Sequence, residues 1–432
     1  MNRKTGGLLA SVVTLSIALG ACSGAGDGDQ LSKGNESGAG QAQQKVLKFW
    51  MRGSGPNEAL TRSVASDIQA FEAQNPDIKV EIDYIPYADV EAKWNTAFAG
   101  GTAPDLFEVG IINIASRANL EQFAPLDEYI DGWAGKDDII DNIYKLGSYK
   151  DQIYGMGYMP SPNVFAYRKD YFAEANLDPE RPPQSWAELM DYSKKLAVVE
   201  NGQTVRGGFD VPKQNGSFWL EIFGHQNGSA VVDESNETPV FDEPAAVEAL
   251  EFVKELSQYS IPYDAQKAET VPFRLGQSAM TYIAPDAIGE MIRNDPSLEG
   301  KIGVVSNVPG KQPSTFNGLR LFSIASTSKQ KDEAWRLIEF FLSKERAELR
   351  MKELMVPVVN KSLSDRFVEM DPEMNAAIME AVQIGVGRPK VTWSPLFEKY
   401  ANQGYEEAMY GVKPVAEALK DAVAELKKEI GR

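Results

Sequence analysis

The stretch from Val46 to Tyr84 constrains the fold more than any other. Val46-Leu47-Lys48-Phe49-Trp50-Met51 has the character of a strand, and Arg52-Gly53-Ser54-Gly55-Pro56 breaks it. Leu60, Val64, Ile68 and Phe71 then recur at spacings of four, four and three, which lays one apolar stripe along a helix. Asn75-Pro76 stops that helix, and Val80, Ile82 and Tyr84 alternate as in a second strand. A strand, a helix and a strand in this order seed a parallel sheet, because parallel neighbours need a crossover and the helix supplies one. Ala88 to Phe98 predicts another helix, Gly100 to Pro104 a loop, and Asp105 to Val109 a third strand. In an open parallel sheet the strand ends after Trp50 and Val109 point into the crevice where ligands sit.

The same alternation continues along the chain. Ile153 to Tyr158 and Val164 to Tyr167 read as short extended pieces interrupted by Pro160 and Pro162. Ser185-Trp186-Ala187-Glu188 has the form of a capping box. Phe218 to Phe223 is an aromatic stretch between glycines, and Asp242 with Pro244 starts a further helix. Met280 to Ile283, Ile302 to Val305 and Leu319 to Ala325 are predicted strands; Ala334 to Phe341 and the segment after Pro414 are predicted helices. The class expected is α/β.

The first residues set the compartment. Asn2, Arg3 and Lys4 precede an uncharged, mostly apolar or small run from Leu8 to Leu19, which is the layout of a secretory signal. It is shorter than the roughly 20 apolar residues needed to span a bilayer. Leu19-Gly20-Ala21-Cys22 resembles the lipobox of bacterial lipoproteins, in which the cysteine is lipidated and becomes the new N-terminus. An ordinary secretory signal with an incidental cysteine is the alternative. Cys22 is the one cysteine in the chain, so no internal disulfide is possible. Ser23 to Gln44 is rich in Gly, Ser, Ala, Gln and Asp, and reads as a flexible tether. The expectation is an extracytoplasmic body, held at the membrane by a lipid anchor only.

The remaining length is comfortable for two domains. Sixty-two acidic residues against 44 basic ones give a formal net charge of −18, which argues against nucleic acid as a partner. No second apolar run approaches spanning length. His225 is the one histidine, so a multi-histidine metal site or a catalytic triad is not expected. There is no phosphate-binding Gly-x-x-x-x-Gly-Lys-Ser/Thr loop and no Gly-x-Ser-x-Gly elbow. Neither a metal nor a cofactor is expected. A glycosidase needs only two carboxylates, and it stands as the enzyme alternative.

Several segments together carry a resemblance. They are Val46 to Gly53, Phe71-Glu72-Ala73-Gln74-Asn75-Pro76-Asp77-Ile78-Lys79-Val80, Gly101-Thr102-Ala103-Pro104-Asp105-Leu106-Phe107-Glu108-Val109, Ile153-Tyr154-Gly155 leading to Tyr167-Arg168-Lys169-Asp170, Gly276 to Met280, and Ala334 to Leu342. In order and spacing the chain resembles the extracellular solute-binding proteins of ATP-driven importers, in particular the large sugar-binding class. The resemblance covers nearly all of residues 45 to 432. It implies two α/β lobes with a ligand cleft between them, joined by several hinge crossings near 160–162, 304–307 and 356–358. Lobe one is then 45–160 plus 308–356, and lobe two 161–303 plus 357–432. It further implies a monomeric binding protein, not an enzyme, that hands a small-molecule carbohydrate to separate permease subunits. A non-sugar polar solute such as a glycerol phosphodiester is the alternative cargo.

A sugar offers apolar C–H faces and a rim of hydroxyls, so its site needs aromatic faces, carboxylates, amides and guanidinium groups. Such residues stand where the family's strand ends and hinges fall: Trp50 and Arg52, Glu108 and Asn113, Phe218 and Trp219, Tyr282 and Asp286, Asn317 and Arg320, and Trp393. Maltodextrin-binding members carry a stacking tryptophan near Asp286, so a maltodextrin cargo is not expected. Arg52 and Arg320 leave room for an acidic sugar or a phosphate ester.

Overall fold

In the computed structural model the described residues are 44–53, 55, 59–233 and 237–431. The expected signal segment, Cys22 and the expected tether up to residue 43 lie outside the described residues.

Along the chain the elements that position the site are β1 (Lys45–Arg52), α1 (Ala59–Gln74), β2 (Ile78–Ile85), α2 (Val90–Ala99), β3 (Leu106–Gly110) and α3 (Ile111–Asn119). There follow β4 (Met156–Pro162), β5 (Val164–Arg168), α4 (Trp186–Leu196), α5 (Ser217–Gln226), α6 (Pro244–Leu256), β6 (Met280–Ile283), α7 (Pro285–Asn294) and β7 (Ile302–Val305). The last are β8 (Thr315–Ile324), α8 (Lys331–Leu342), α9 (Lys344–Leu354), α10 (Pro372–Ile384), β9 (Gly385–Val386), α11 (Ser394–Met409) and α12 (Val415–Glu429).

These elements build two sheets with separate cores, one for each lobe of an α/β fold. The larger sheet has the order β9-β8-β3-β1-β2, with β4 also on β8. β1 is parallel to β2, from Lys45 opposite Ile78 to Arg52 opposite Ile85, and parallel to β3 through Phe49 opposite Leu106. The predicted crossover helix is α1, which buries Val64, Ile68 and Phe71. β8 runs antiparallel to β3, with Arg320 opposite Gly110. Leu47, Phe49 and Met51 alternate inward along β1, and Phe49 meets Phe322 edge-on at 5.8 Å. The smaller sheet, β6-β5-β7, is antiparallel throughout. Along β5 the pleat sends Phe165 and Tyr167 into a core with α4, α5, α6, α11 and α12. It sends Val164 and Ala166 into a smaller cluster with residues of α7, α9 and α10. Among the described residues no helix is long and apolar enough to cross a membrane.

Three local readings differ from the sequence expectation. Pro160 and Pro162 do not interrupt the extended segment but lie inside β4, opposite Leu319 and Asn317. β4 is bonded to β8 alone, so a residue without an N–H faces the unpaired side without loss. At α4, Ser185 accepts from the Glu188 amide at 3.3 Å, but the Glu188 carboxylate reaches back to the Gln184 amide at 3.0 Å, one residue beyond the usual partner. The strand expected from Leu319 begins already at Thr315.

A buried ion pair joins two helices of the larger lobe. Arg350 of α9 donates from Nη1 to Asp67 of α1 at 2.8 Å, and both side chains are buried. Arg350→Met alone is expected to cost about 3–5 kcal/mol, because it strips the buried Asp67 carboxylate of this partner. The double variant with Asp67→Leu should recover most of that loss. Urea unfolding measures both; equal losses in the single and double variants would contradict this account.

Candidate functional site

Because β1, β2 and β3 are parallel, their C-terminal ends open on one edge of the sheet. Arg52 ends β1, Tyr87 follows β2, and Gly110 passes directly into α3. β8 runs the opposite way and brings Arg320 beside Gly110. Facing them are Phe218 in the first turn of α5, Arg388 after β9, and Pro395 and Glu398 of α11. Together they line a cleft with two adjoining parts of about 600 and 340 Å³, which share Arg52, Tyr87, Ile112, Phe218 and Glu398.

The floor of the cleft is a charged triad. Glu108 of β3 is 0% exposed. It accepts from Arg52 Nη2 at 2.7 Å and Nε at 2.9 Å, in a two-pronged pair, and from Arg320 Nη1 at 3.3 Å. Burial pushes the Glu108 carboxyl up, but the two guanidiniums outweigh burial and hold it below its ordinary value. Arg320 Nη2 donates to the Tyr87 hydroxyl at 2.8 Å, and the Arg52 guanidinium lies 5.8 Å from the Tyr87 ring centroid. Gly110 makes room for this packing, since a Cβ there would stand 2.8 Å from Arg52 Nη1.

The facing wall sets two carboxyl groups around one guanidinium. The Arg388 guanidinium lies 4.9 Å from the Phe218 ring, 5.4 Å from Phe397 and 5.6 Å from Phe316. Its Nη1 is 3.0 Å from Glu221 Oε1, and its Nη2 4.0 Å from Glu398 Oε2. Burial pushes the Glu221 carboxyl up to about 7, against the pull of Arg388. At the rim, Asn113 Nδ2 donates to Glu91 Oε1 at 2.6 Å, and Glu91 also pairs with Arg117.

Of the residues named from sequence, the structure brings Arg52, Asn113, Phe218 and Arg320 to the cleft wall, and sets Glu108 beneath two of them. Trp50 shares the Arg52 face of β1 but lies two residues, about 7 Å, short of the strand end. There it packs beside α2, with Lys93 Nζ 4.5 Å from its ring and its Nε1 donating to Asp83 at 3.0 Å. Trp219 follows Phe218 by one residue on α5, and so turns into the core, where its Nε1 donates to the Asp210 carbonyl at 3.0 Å. The Tyr282 hydroxyl is buried between Gln226 Nε2 at 2.8 Å and the Val308 amide at 3.0 Å. Asp286 is half-buried in the first turn of α7, outside both parts of the cleft. Asn317 is buried and donates to the Val382 carbonyl at 3.1 Å. Trp393 is buried against the C-terminal helices, its Nε1 donating to the Glu237 carbonyl at 3.1 Å.

Sequence reasoning passed over Tyr87, Arg388 and Glu398. Tyr87 obeys the same strand-end rule as Arg52, applied to β2. Arg388, in Gly387-Arg388-Pro389, carries no local signal of its position. Among the described residues there is no group of three or more metal-ligating side chains.

A family model described as bacterial extracellular solute-binding protein matches residues 68–376. The maltotriose-binding protein of Pyrococcus abyssi is 23% identical over 331 residues, covering 73% of this chain and 67% of that protein. The sn-glycerol-3-phosphate-binding periplasmic protein of Escherichia coli K12 is 28% identical over 248 residues, 55% of each. An ABC transporter solute-binding protein from Thermotoga lettingae, solved with alpha-D-tagatose, superposes with a TM-score of 0.79 at 23% identity. It covers 89% of this chain and 99% of that one.

The folded chain binds the Glu221 proton more tightly than the unfolded chain does. That contribution is present below the ordinary glutamate range and is lost as pH rises through about 7. Thermal unfolding followed from about pH 5 to 8 is therefore expected to show a shallower fall for Glu221→Gln than for the unaltered chain. Identical slopes would remove Glu221 as a cause.

Proposed function

This chain belongs to the bacterial extracellular solute-binding protein family, and from that membership we propose that it captures a carbohydrate between its lobes and delivers it to the permease of an ATP-driven importer. The observation that carries this reading is the cleft itself. Guanidinium groups from the end of β1 and the middle of β8 face an aromatic and carboxylate wall across a space of sugar size.

Arg52 and Arg320 donate to ligand oxygens, while Glu91 and Glu398 accept from hydroxyls. The Tyr87 ring is 54% exposed and, with Phe218, supplies apolar faces for the C–H surface of a sugar ring. Capture needs no bond chemistry. It needs only better contacts in the closed form than in the open one, so the solute shifts the population toward closure. The lobes pivot about chain crossings near 160–162, 304–307 and 356–358, and the closed monomer presents both lobes to the permease. The family works outside the cytoplasm, and lipidation at Cys22 keeps the chain at the membrane surface.

A thermal-shift screen against neutral and acidic mono- and oligosaccharides tests this reading. A saccharide at a hundredfold excess over its Kd is expected to add about 2.7 kcal/mol of stability. Phe218→Ala and Tyr87→Ala should each abolish most of that shift while leaving the unliganded midpoint nearly in place. No shift with any saccharide would contradict the reading.

A further inference from the structure

We propose that the captured carbohydrate carries an anionic group, a carboxylate or a phosphate ester, and that Arg52 and Arg320 receive it together. The inference rests on the cleft reading above and specifies the solute class for it.

The charge count at the cleft floor comes first. Among the described residues, Arg52 and Arg320 share a single carboxylate within ion-pair distance, that of Glu108. Two cations on one anion leave a positive surplus. The arrangement is also one-sided. Glu108 is wholly enclosed, whereas the Arg52 and Arg320 side chains stay 13% and 20% exposed. The carboxylate orients the guanidiniums from behind, and a ligand meets only their outer N–H groups. Glu108 takes Nε and Nη2 of Arg52, which leaves Nη1 over Gly110. Guanidinium has five N–H donors, so both forks keep donors for a second acceptor.

Two further features favour an anion at the same spot. Gly110, Ile111 and Ile112, the start of α3, line the cavity beside Arg320, and the positive end of a helix dipole adds to the field there. The other acidic side chains of the cleft wall stand beside cations of their own: Glu91 beside Arg117, and Glu398 beside Arg388, which Glu221 also faces. A neutral sugar closed into the cleft would bring no charge to the floor's surplus and would leave only the carboxylates of the far wall to answer it across the ligand, a poorer match than direct contact. An acidic group matches it. The opposite wall, with two carboxylates around one guanidinium, suits the hydroxyl donors of the same molecule. The acidic end is thereby oriented toward β1 and β8 and the hydroxyl-bearing end toward α11.

Calorimetric titration of the full chain distinguishes the possibilities. The probes are D-galacturonate, trigalacturonate, glucose 6-phosphate and sn-glycerol 3-phosphate, with galactose, glucose and maltotriose as neutral counterparts. The expected result is that one acidic sugar binds at least about tenfold more tightly than its neutral counterpart, and that raising the salt concentration erodes this preference. Whether the uronate or the phosphate arm responds identifies the anion. Arg320→Gln should bring the acidic and neutral affinities together, and Arg320→Lys should restore part of the gap by restoring charge without the fork. Neutral sugars that bind as tightly as acidic ones, with no salt dependence, overturn the inference and leave the carbohydrate reading standing. Binding of sn-glycerol 3-phosphate alone keeps the anion assignment and overturns the carbohydrate reading. No binding of any probe overturns both.

Discussion

The buried carboxylate of Glu108 is the interaction on which the site depends. It stands on the central strand β3, between a guanidinium from β1 and one from β8. Three neighbouring strands are thus tied at the edge where the sheet opens. A buried carboxylate without partners would shed its charge; with two arginines it is held ionised, and its burial in turn fixes both arginines in one geometry. On the proposed function the arginines would meet a ligand already oriented, which lowers the entropy lost on binding.

The second wall is built by different means. Arg388 is held by three phenylalanine rings and by the carboxylates of α5 and α11, so α5 presents Phe218 to the cleft while Trp219 and Phe223 anchor it in the core. Phe316 of β8 is one of those rings, so the second wall also packs against the larger sheet. On the proposed function, such a cleft selects solutes by matching both walls at once, as a carbohydrate with polar groups along its length would.

Much of this was legible before any coordinates. The strand-helix-strand unit of Val46 to Tyr84 announced the parallel sheet, strand ends pointed to Arg52 and Glu108, and Arg320 was named from the start of a strand just past an expected hinge. Legibility failed where a side chain's direction depends on tertiary packing. Trp50 and Arg52 have the same parity on β1, and nothing local says that α2 stops short of one and covers the other. Phe218 and Trp219 differ by a single residue on a helix embedded in aromatics, so periodicity left both open. Trp393 was expected in the cleft because the family it resembles places an aromatic there against the ligand, yet the residues of that turn and helix that reach the cleft are Arg388, Pro395 and Glu398. The antiparallel approach of β8, which brings Arg320 beside Gly110, is a long-range pairing with no short-range signature.

A crystal structure of the chain with its tightest-binding saccharide is the most direct measurement. The sugar is expected between the lobes, with its acidic group within hydrogen-bond distance of both Arg52 and Arg320, and its ring against Phe218 and Tyr87. A saccharide seated beside Trp50 or Trp393, with the cleft empty, would contradict it.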